Sequence, residues 1–211
     1  MKKLGLIFIA MWLVGCATPN RDVVATDTYS LQYAYLSPSG KTLKHYSEQG
    51  LSLVFPSIPG NIYGTPGDDI IYVATPENAQ RFSLVLPKDM DRRALPLTDS
   101  PLAIEPPETK VLRLGTFNFL PRYQDVMGGG GFSDTISDRT YILVYFSNAA
   151  QVTGQYTAYS DIYNHNIVID APGWHWLQFV ETSDNVFDVS AYEGSAETIQ
   201  FDVYLLGVSE A

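Results

Sequence analysis

A chain of 211 residues with 45% hydrophobic and 17% charged residues is long enough to bury a sizeable core, as one large domain or two small ones. Its formal charge of −10 repels a phosphate backbone and argues against nucleic acid as a partner. The single cysteine excludes an internal disulfide, so stability must come from packing and strand pairing.

Lys2 and Lys3 give the amino terminus a positive head, and Leu4 to Val14 form an apolar run closed by Leu13-Val14-Gly15-Cys16. That is the layout of a secretory signal. The run is 11 residues long, whereas a helix needs about 20 to cross a bilayer. The four closing residues resemble the lipobox of bacterial lipoproteins: a long apolar residue, a Val-like one, Gly, then the obligatory Cys. The resemblance implies that the Cys16 thiol takes a diacylglycerol, that the Gly15–Cys16 bond is cut, and that the new amino terminus is acylated as well. Each buried CH₂ contributes roughly 0.8 kcal/mol, so two or three chains make a lasting anchor. Ala17 in place of Asp resembles lipoproteins sorted to the outer membrane. The expected organisation is a removed signal (1–15), a lipidated tether (16–28) and a β domain (29–211), with a division near 121–139 left open. The expected place is the cell envelope, lipid-anchored in the outer membrane and facing the periplasm. Loss of Lys2 and Lys3 takes the charge from −10 to −12, so electrostatic adhesion to anionic lipid is not expected beyond the anchor.

From Tyr29 onward the chain is a series of short runs. Leu31, Tyr33 and Tyr35 alternate with polar or small neighbours, and Ser37-Pro38-Ser39-Gly40 marks a turn. Lys41 to Gln49 has room for one helical turn before Gly50. Leu51 to Phe55 reads as a strand ended by Pro56, and Ile70 to Ala74 as another. Phe82, Leu84 and Leu86 form an alternating strand; Pro87 to Pro107 reads as a long proline-rich excursion, and Val111 to Leu120 as the next strand. Gly128 to Gly131 read as a flexible loop, because four consecutive glycines are entropically costly to order. Thr140–Phe146, Gln151–Tyr159, Asn166–Asp170, Trp174–Val180 and Asn185–Tyr192 follow as strands. Ile199, Phe201, Val203 and Leu205 close the series in strict alternation. Val, Ile, Thr, Tyr and Phe fill these runs, as half-buried pleated surfaces prefer. The pattern predicts an all-β antiparallel β-sandwich or jelly roll with little helix.

Ile71-Tyr72-Val73-Ala74-Thr75-Pro76-Glu77-Asn78 followed by Phe82-Ser83-Leu84-Val85-Leu86 resembles the maltose-operon periplasmic protein family. Lys110-Val111-Leu112-Arg113-Leu114 and Thr140 to Phe146 are similar to later strands of it, so the likeness covers about residues 70–151. The chain departs from that family in carrying a lipobox and in ending near its last strand. The resemblance implies a periplasmic β-rich accessory protein and carries over no catalytic residue.

Motifs of enzymatic chemistry are sparse. Ser39-Gly40-Lys41-Thr42 has the tail of a phosphate loop, but Tyr35 stands where that loop needs Gly. There is no Gly-x-Ser-x-Gly elbow, and no zinc-binding spacing. No cofactor is expected. His45 reads as a surface residue and His165, between two asparagines, as a turn residue. His175 alternates with Trp174 and Trp176 and so points away from both. Arg139 is the last basic residue, leaving an acidic carboxy-terminal third. Within it Tyr156, Tyr159, Tyr163, Trp174 and Trp176 are candidates for stacking on a sugar ring, with core packing as the competing reading. Glu181, Asp184 and Asp188 are weak calcium candidates, because calcium takes six to eight oxygens and the regular spacing is missing. The expected function is that of a non-catalytic envelope protein in a structural or interaction role, its partner an envelope protein or polysaccharide. A carbohydrate-binding accessory and a hydrolase with dispersed residues are the alternatives.

Overall fold

The computed structural model describes residues 25–33, 52–64, 70–77, 81–99, 101–115, 118–120, 127–134 and 139–206. The signal, Cys16, most of the tether and His45 lie outside the described residues. The described chain is all-β and sandwich-like. Its strands are β1 (Thr26–Tyr33), β2 (Ser52–Pro59), β3 (Ile70–Val73), β4 (Thr75–Pro76), β5 (Arg81–Pro87), β6 (Leu95–Pro96), β7 (Ala103–Glu105) and β8 (Lys110–Leu114). They continue with β9 (Asn118–Leu120), β10 (Met127–Asp134), β11 (Thr140–Phe146), β12 (Ala150–Ala158), β13 (Asp161–Ile169), β14 (Gly173–Ser183), β15 (Val186–Ala191) and β16 (Ile199–Leu206). A 3₁₀ turn, Ala196–Thr198, precedes the last strand. Among the described residues no helix is long and apolar enough to cross a membrane.

Strand order along the main path is β4-β5-β1-β16-β10-β11-β14-β15-β13-β12-β7. Pairing is antiparallel except for β1 with β16 and β13 with β15. β11 and β14 lie between two cores and send side chains into both. On β14, Trp174 and Trp176 enter one core and Leu177 and Phe179 the other. On β11, Tyr141, Leu143 and Tyr145 enter the first while Val144 and Phe146 enter the second. This explains the unbroken apolar run Tyr141 to Phe146: a strand covered on both faces needs no polar side. Each core draws residues from before and after 121–139.

The first core is centred on four phenylalanines from distant strands. Phe55 lies 6.2 Å from Phe82, 6.0 Å from Phe132 and 5.4 Å from Phe201, between ring centroids. Trp176 meets Phe132 edge-on at 4.9 Å, and the Trp174 indole N–H donates to the Pro87 carbonyl at 2.8 Å.

Several sequence expectations are corrected. Gly128 to Gly131 are not a loop but part of β10, each opposite a residue of β16 from Gly128↔Leu205 to Gly131↔Asp202. The ladder holds the backbone that the glycines alone would leave loose. Pro56 does not end β2: the register shifts between Phe55 and Pro56, and the strand passes from pairing with β3 to pairing with β8. The Pro56 carbonyl still accepts from Gly115 N–H at 2.7 Å, so only the missing donor had to be accommodated. The excursion after Pro87 is tied down by Met90 and Ala94, both buried in the first core, and by β7 on β12. The run from Val111 to Leu120 divides into β8 and β9, and β1 begins at Thr26, inside the expected tether.

Candidate functional site

The hairpin of β12 and β13 organises the candidate residues. Its two strands pair without interruption from Ala150↔Ile169 to Ala158↔Asp161, leaving Tyr159 and Ser160 as the turn. Alternate residues of β12 and β13, including Tyr156, Tyr163 and His165, point inward toward the second core. Gln155 and Asn164 point outward.

On the inner side the Tyr63 ring stacks on Tyr156 at 4.1 Å and 8° and stands 5.2 Å from Tyr163, which in turn stacks on Phe187 at 5.2 Å. The Tyr63 hydroxyl lies 2.6 Å from His165 Nε2. Tyr63 is placed by a clamped loop. Asn61 Oδ1 accepts from the N–H of Tyr63 and of Gly64. The buried Asp99 carboxylate accepts from Ile62 and Tyr63 N–H, and the Arg113 guanidinium donates to the Gly64 carbonyl at 2.7 Å. Gly60 has φ +68° and no room for a side chain, since a Cβ would stand 2.7 Å from the Pro96 carbonyl oxygen. Burial pushes the Asp99 carboxyl up, against the pull of its two backbone N–H bonds and of Arg113. Burial likewise pushes the Tyr63 phenol up.

His165 is no turn residue: it is 5% exposed in the middle of β13. Burial lowers its pKa, with the Gly154 and Tyr163 carbonyls opposing that shift in part. Nε2 shares a hydrogen bond with the Tyr63 hydroxyl whose direction follows the ring tautomer, and Nδ1 is buried without a well-formed hydrogen bond. His175 is on the opposite face from the indoles, with Nε2 2.8 Å from the Ala171 carbonyl oxygen. Among the described residues neither histidine is paired with a serine hydroxyl.

The buried His165 gives a pH signature. An unfolded histidine takes up a proton near pH 6.5, whereas the folded one resists until its lower pKa. The unfolded state therefore binds more protons in that window, and stability falls as pH drops below about 6.5, by at most ~1.4 kcal/mol per pH unit. Urea midpoints at pH 7.5 and 5.5 should converge in His165→Gln relative to the parent. Equal pH dependence in both proteins would assign the effect elsewhere.

The five aromatic candidates are not gathered in one place. Trp174 and Trp176 are 8% and 7% exposed and fill the first core, so they are corrected from ligand platform to packing. Tyr156 and Tyr163 are half-buried around Tyr63 at the second core. Tyr159 alone projects fully, at 104% of its reference exposure. It does so with φ +57°, a conformation that costs a non-glycine residue roughly 1–2 kcal/mol. Strain of this kind collects where a side chain is presented for function. Outside the hairpin, Gln155 donates to Asn164 at 3.0 Å and Asn164 to Asp188 at 3.3 Å. The three make an exposed amide and carboxylate ladder across β12, β13 and β15.

Glu181, Asp184 and Asp188 are not drawn together into a metal site. Glu181 accepts from the Asn185 N–H in the β14–β15 turn, Asp188 is committed to Asn164, and no cluster of three metal-ligating side chains occurs among the described residues. Sequence reading missed Tyr63, Asp99 and Arg113, which are joined to one another and to His165 and Gly64 by contacts 36 to 102 residues apart.

Fold and site together define an all-β, sandwich-like protein with an aromatic hairpin and a polar outer face. No family model matches the chain, and no curated protein or solved structure matches it significantly.

Proposed function

We propose that the protein is a lipid-anchored envelope protein with a non-catalytic interaction role, the β12–β13 hairpin being its contact surface. The anchor rests on the sole thiol standing at the lipobox position. The resemblance of residues 70–151 to a periplasmic accessory family points the same way. The observation that carries the contact surface is Tyr159, an aromatic ring held in solvent at the cost of backbone strain. A polysaccharide is the second reading, favoured by the Gln155–Asn164–Asp188 ladder, whose amides and carboxylate suit hydroxyl groups.

Tyr159→Gly separates presentation from architecture. Glycine accepts positive φ freely, so the variant should gain roughly 1 kcal/mol of stability by relief of the αL strain while losing partner binding. Thermal unfolding reads the first. Titration with glucans and peptidoglycan fragments, followed by tyrosine fluorescence, reads the polysaccharide arm, and crosslinking in the native envelope reads the protein arm. A variant that is more stable and binds as the parent does would remove Tyr159 from the contact surface.

A further inference from the structure

The chain is acidic as a whole, but its cations are not spread evenly. Of the seven Lys and Arg among the described residues, four lie at one corner: Lys88, Arg92, Arg93 and Lys110. Lys88, Arg92 and Arg93 share a cavity of about 540 Å³ with Ala25, Pro87, Asp89 and Met90. Lys110 joins them through Nζ, which donates to the Asp91 carbonyl at 3.2 Å.

The corner is fastened to the first core. Met90 and Ala94 are sunk in the first core, and the N–H groups of Arg93 and Ala94 both donate to the Met90 carbonyl at 2.8 Å. With Met90 and Ala94 turned in, Arg92, Arg93 and Leu95 are left outside, Leu95 with 53% of its surface in solvent. Three carboxylates share the corner with its four cations, each with a partner of its own. Asp27 pairs with Lys88 at 3.1 Å, Asp91 accepts from the Tyr145 hydroxyl at 2.8 Å, and Asp89 accepts from Asp91 N–H at 2.9 Å. Two guanidinium groups beside an exposed leucine are a combination suited to a phospholipid surface, where cations meet headgroups and the apolar side chain enters the interface.

The corner also stands where the tether leaves the fold. Lys88 N–H donates to the Ala25 carbonyl at 2.8 Å, and residues 16–24 are all that separate Ala25 from Cys16. Nine residues span at most about 30 Å when fully extended. Whatever holds Cys16 therefore holds this corner within reach of the same surface.

We propose that the corner formed by residues 88–96 and Lys110 docks on the anionic phospholipid headgroups of the membrane that carries the anchor, orienting the β domain upon it. The proposal rests on the lipid-anchor reading and adds a second, electrostatic contact that the net charge alone conceals. Docking leaves the domain in a fixed pose, where a bare tether would let it tumble.

The test uses the native lipidated chain carrying Leu95→Cys, labelled with an environment-sensitive dye and reconstituted into vesicles. One set is pure phosphatidylcholine, the other contains 30% phosphatidylglycerol by design of the experiment, ~30 mol% being enough to give a surface potential of tens of millivolts. On the anionic vesicles the dye emission should shift to the blue, and amides 88–96 should gain hydrogen-exchange protection. Both effects should fade in high salt. Arg92→Glu with Arg93→Glu should weaken docking by roughly tenfold or more, since each basic residue near such a surface contributes about fivefold. Flotation with the vesicles but identical emission on both lipids would overturn docking and leave the anchor intact. Failure to float at all would instead overturn the anchor reading. A shift produced equally by inorganic phosphate without vesicles would replace membrane docking by a small-anion site.

Discussion

Phe55→Ala should destabilise the protein by about 3–5 kcal/mol, the cost of emptying a fully buried aromatic site. Phe55 is wholly excluded from solvent and touches Phe82, Phe132 and Phe201, which belong to three other strands. Those strands are brought together from distant parts of the chain, so the cavity cannot close by a small local shift. Against a total stability of about 5–15 kcal/mol for a natural domain, the variant should show a much lower urea midpoint. Phe55→Leu, which leaves a smaller void, should lose less. A loss below about 1 kcal/mol in the alanine variant would mean that the four rings do not pack as one unit.

Cys16→Ser should abolish fatty-acid incorporation and release the protein from the membrane fraction. The thiol is the only one in the chain, and serine cannot form the thioether. With no acyl chains the attachment loses roughly 0.8 kcal/mol for every CH₂ formerly buried, far more than a basic corner could replace. Growth with labelled palmitate should mark the parent and not the variant. Label on the serine variant, or its retention in the detergent phase to the parent's extent, would be incompatible with lipidation at Cys16. The β domain should be unaffected, because the described core begins at Leu31.

Strands were legible wherever packing writes a period into the sequence. β5 and β16 follow the alternation read from their residues, with Ile199 and Phe201 of β16 buried as it requires, and β11 was legible by its unbroken apolar run instead. β10 was not legible, because glycine carries no hydropathy and the partner that orders Gly128–Gly131 lies some 70 residues on. Pro56 reads as a terminator for the same reason: only the bulge and the change of partner at Phe55 explain how a strand continues through it. The aromatic candidates show a different limit. Trp174 and Trp176 have the composition of a sugar platform, yet indoles also fill cores, and only tertiary contacts with Tyr145, Phe132 and Tyr29 decide between the two. His165 between two asparagines looks solvated, but strand alternation turns the histidine inward and both neighbours outward.

The parallel pairing of β1 with β16, Gln32↔Gln200 and Tyr33↔Phe201, bears on when the protein can fold. A chain that emerges amino terminus first presents β1 at the start and β16 at the end, at a few to some twenty residues per second in synthesis. β1 can pair early with β5, yet its other edge and the Phe201 side of the first core stay open until the last strand arrives. Non-local closure of this kind makes folding slow. An N-terminal anchor would then be fixed while the rest of the chain is still open, and the domain would complete itself beside the surface to which it is already attached.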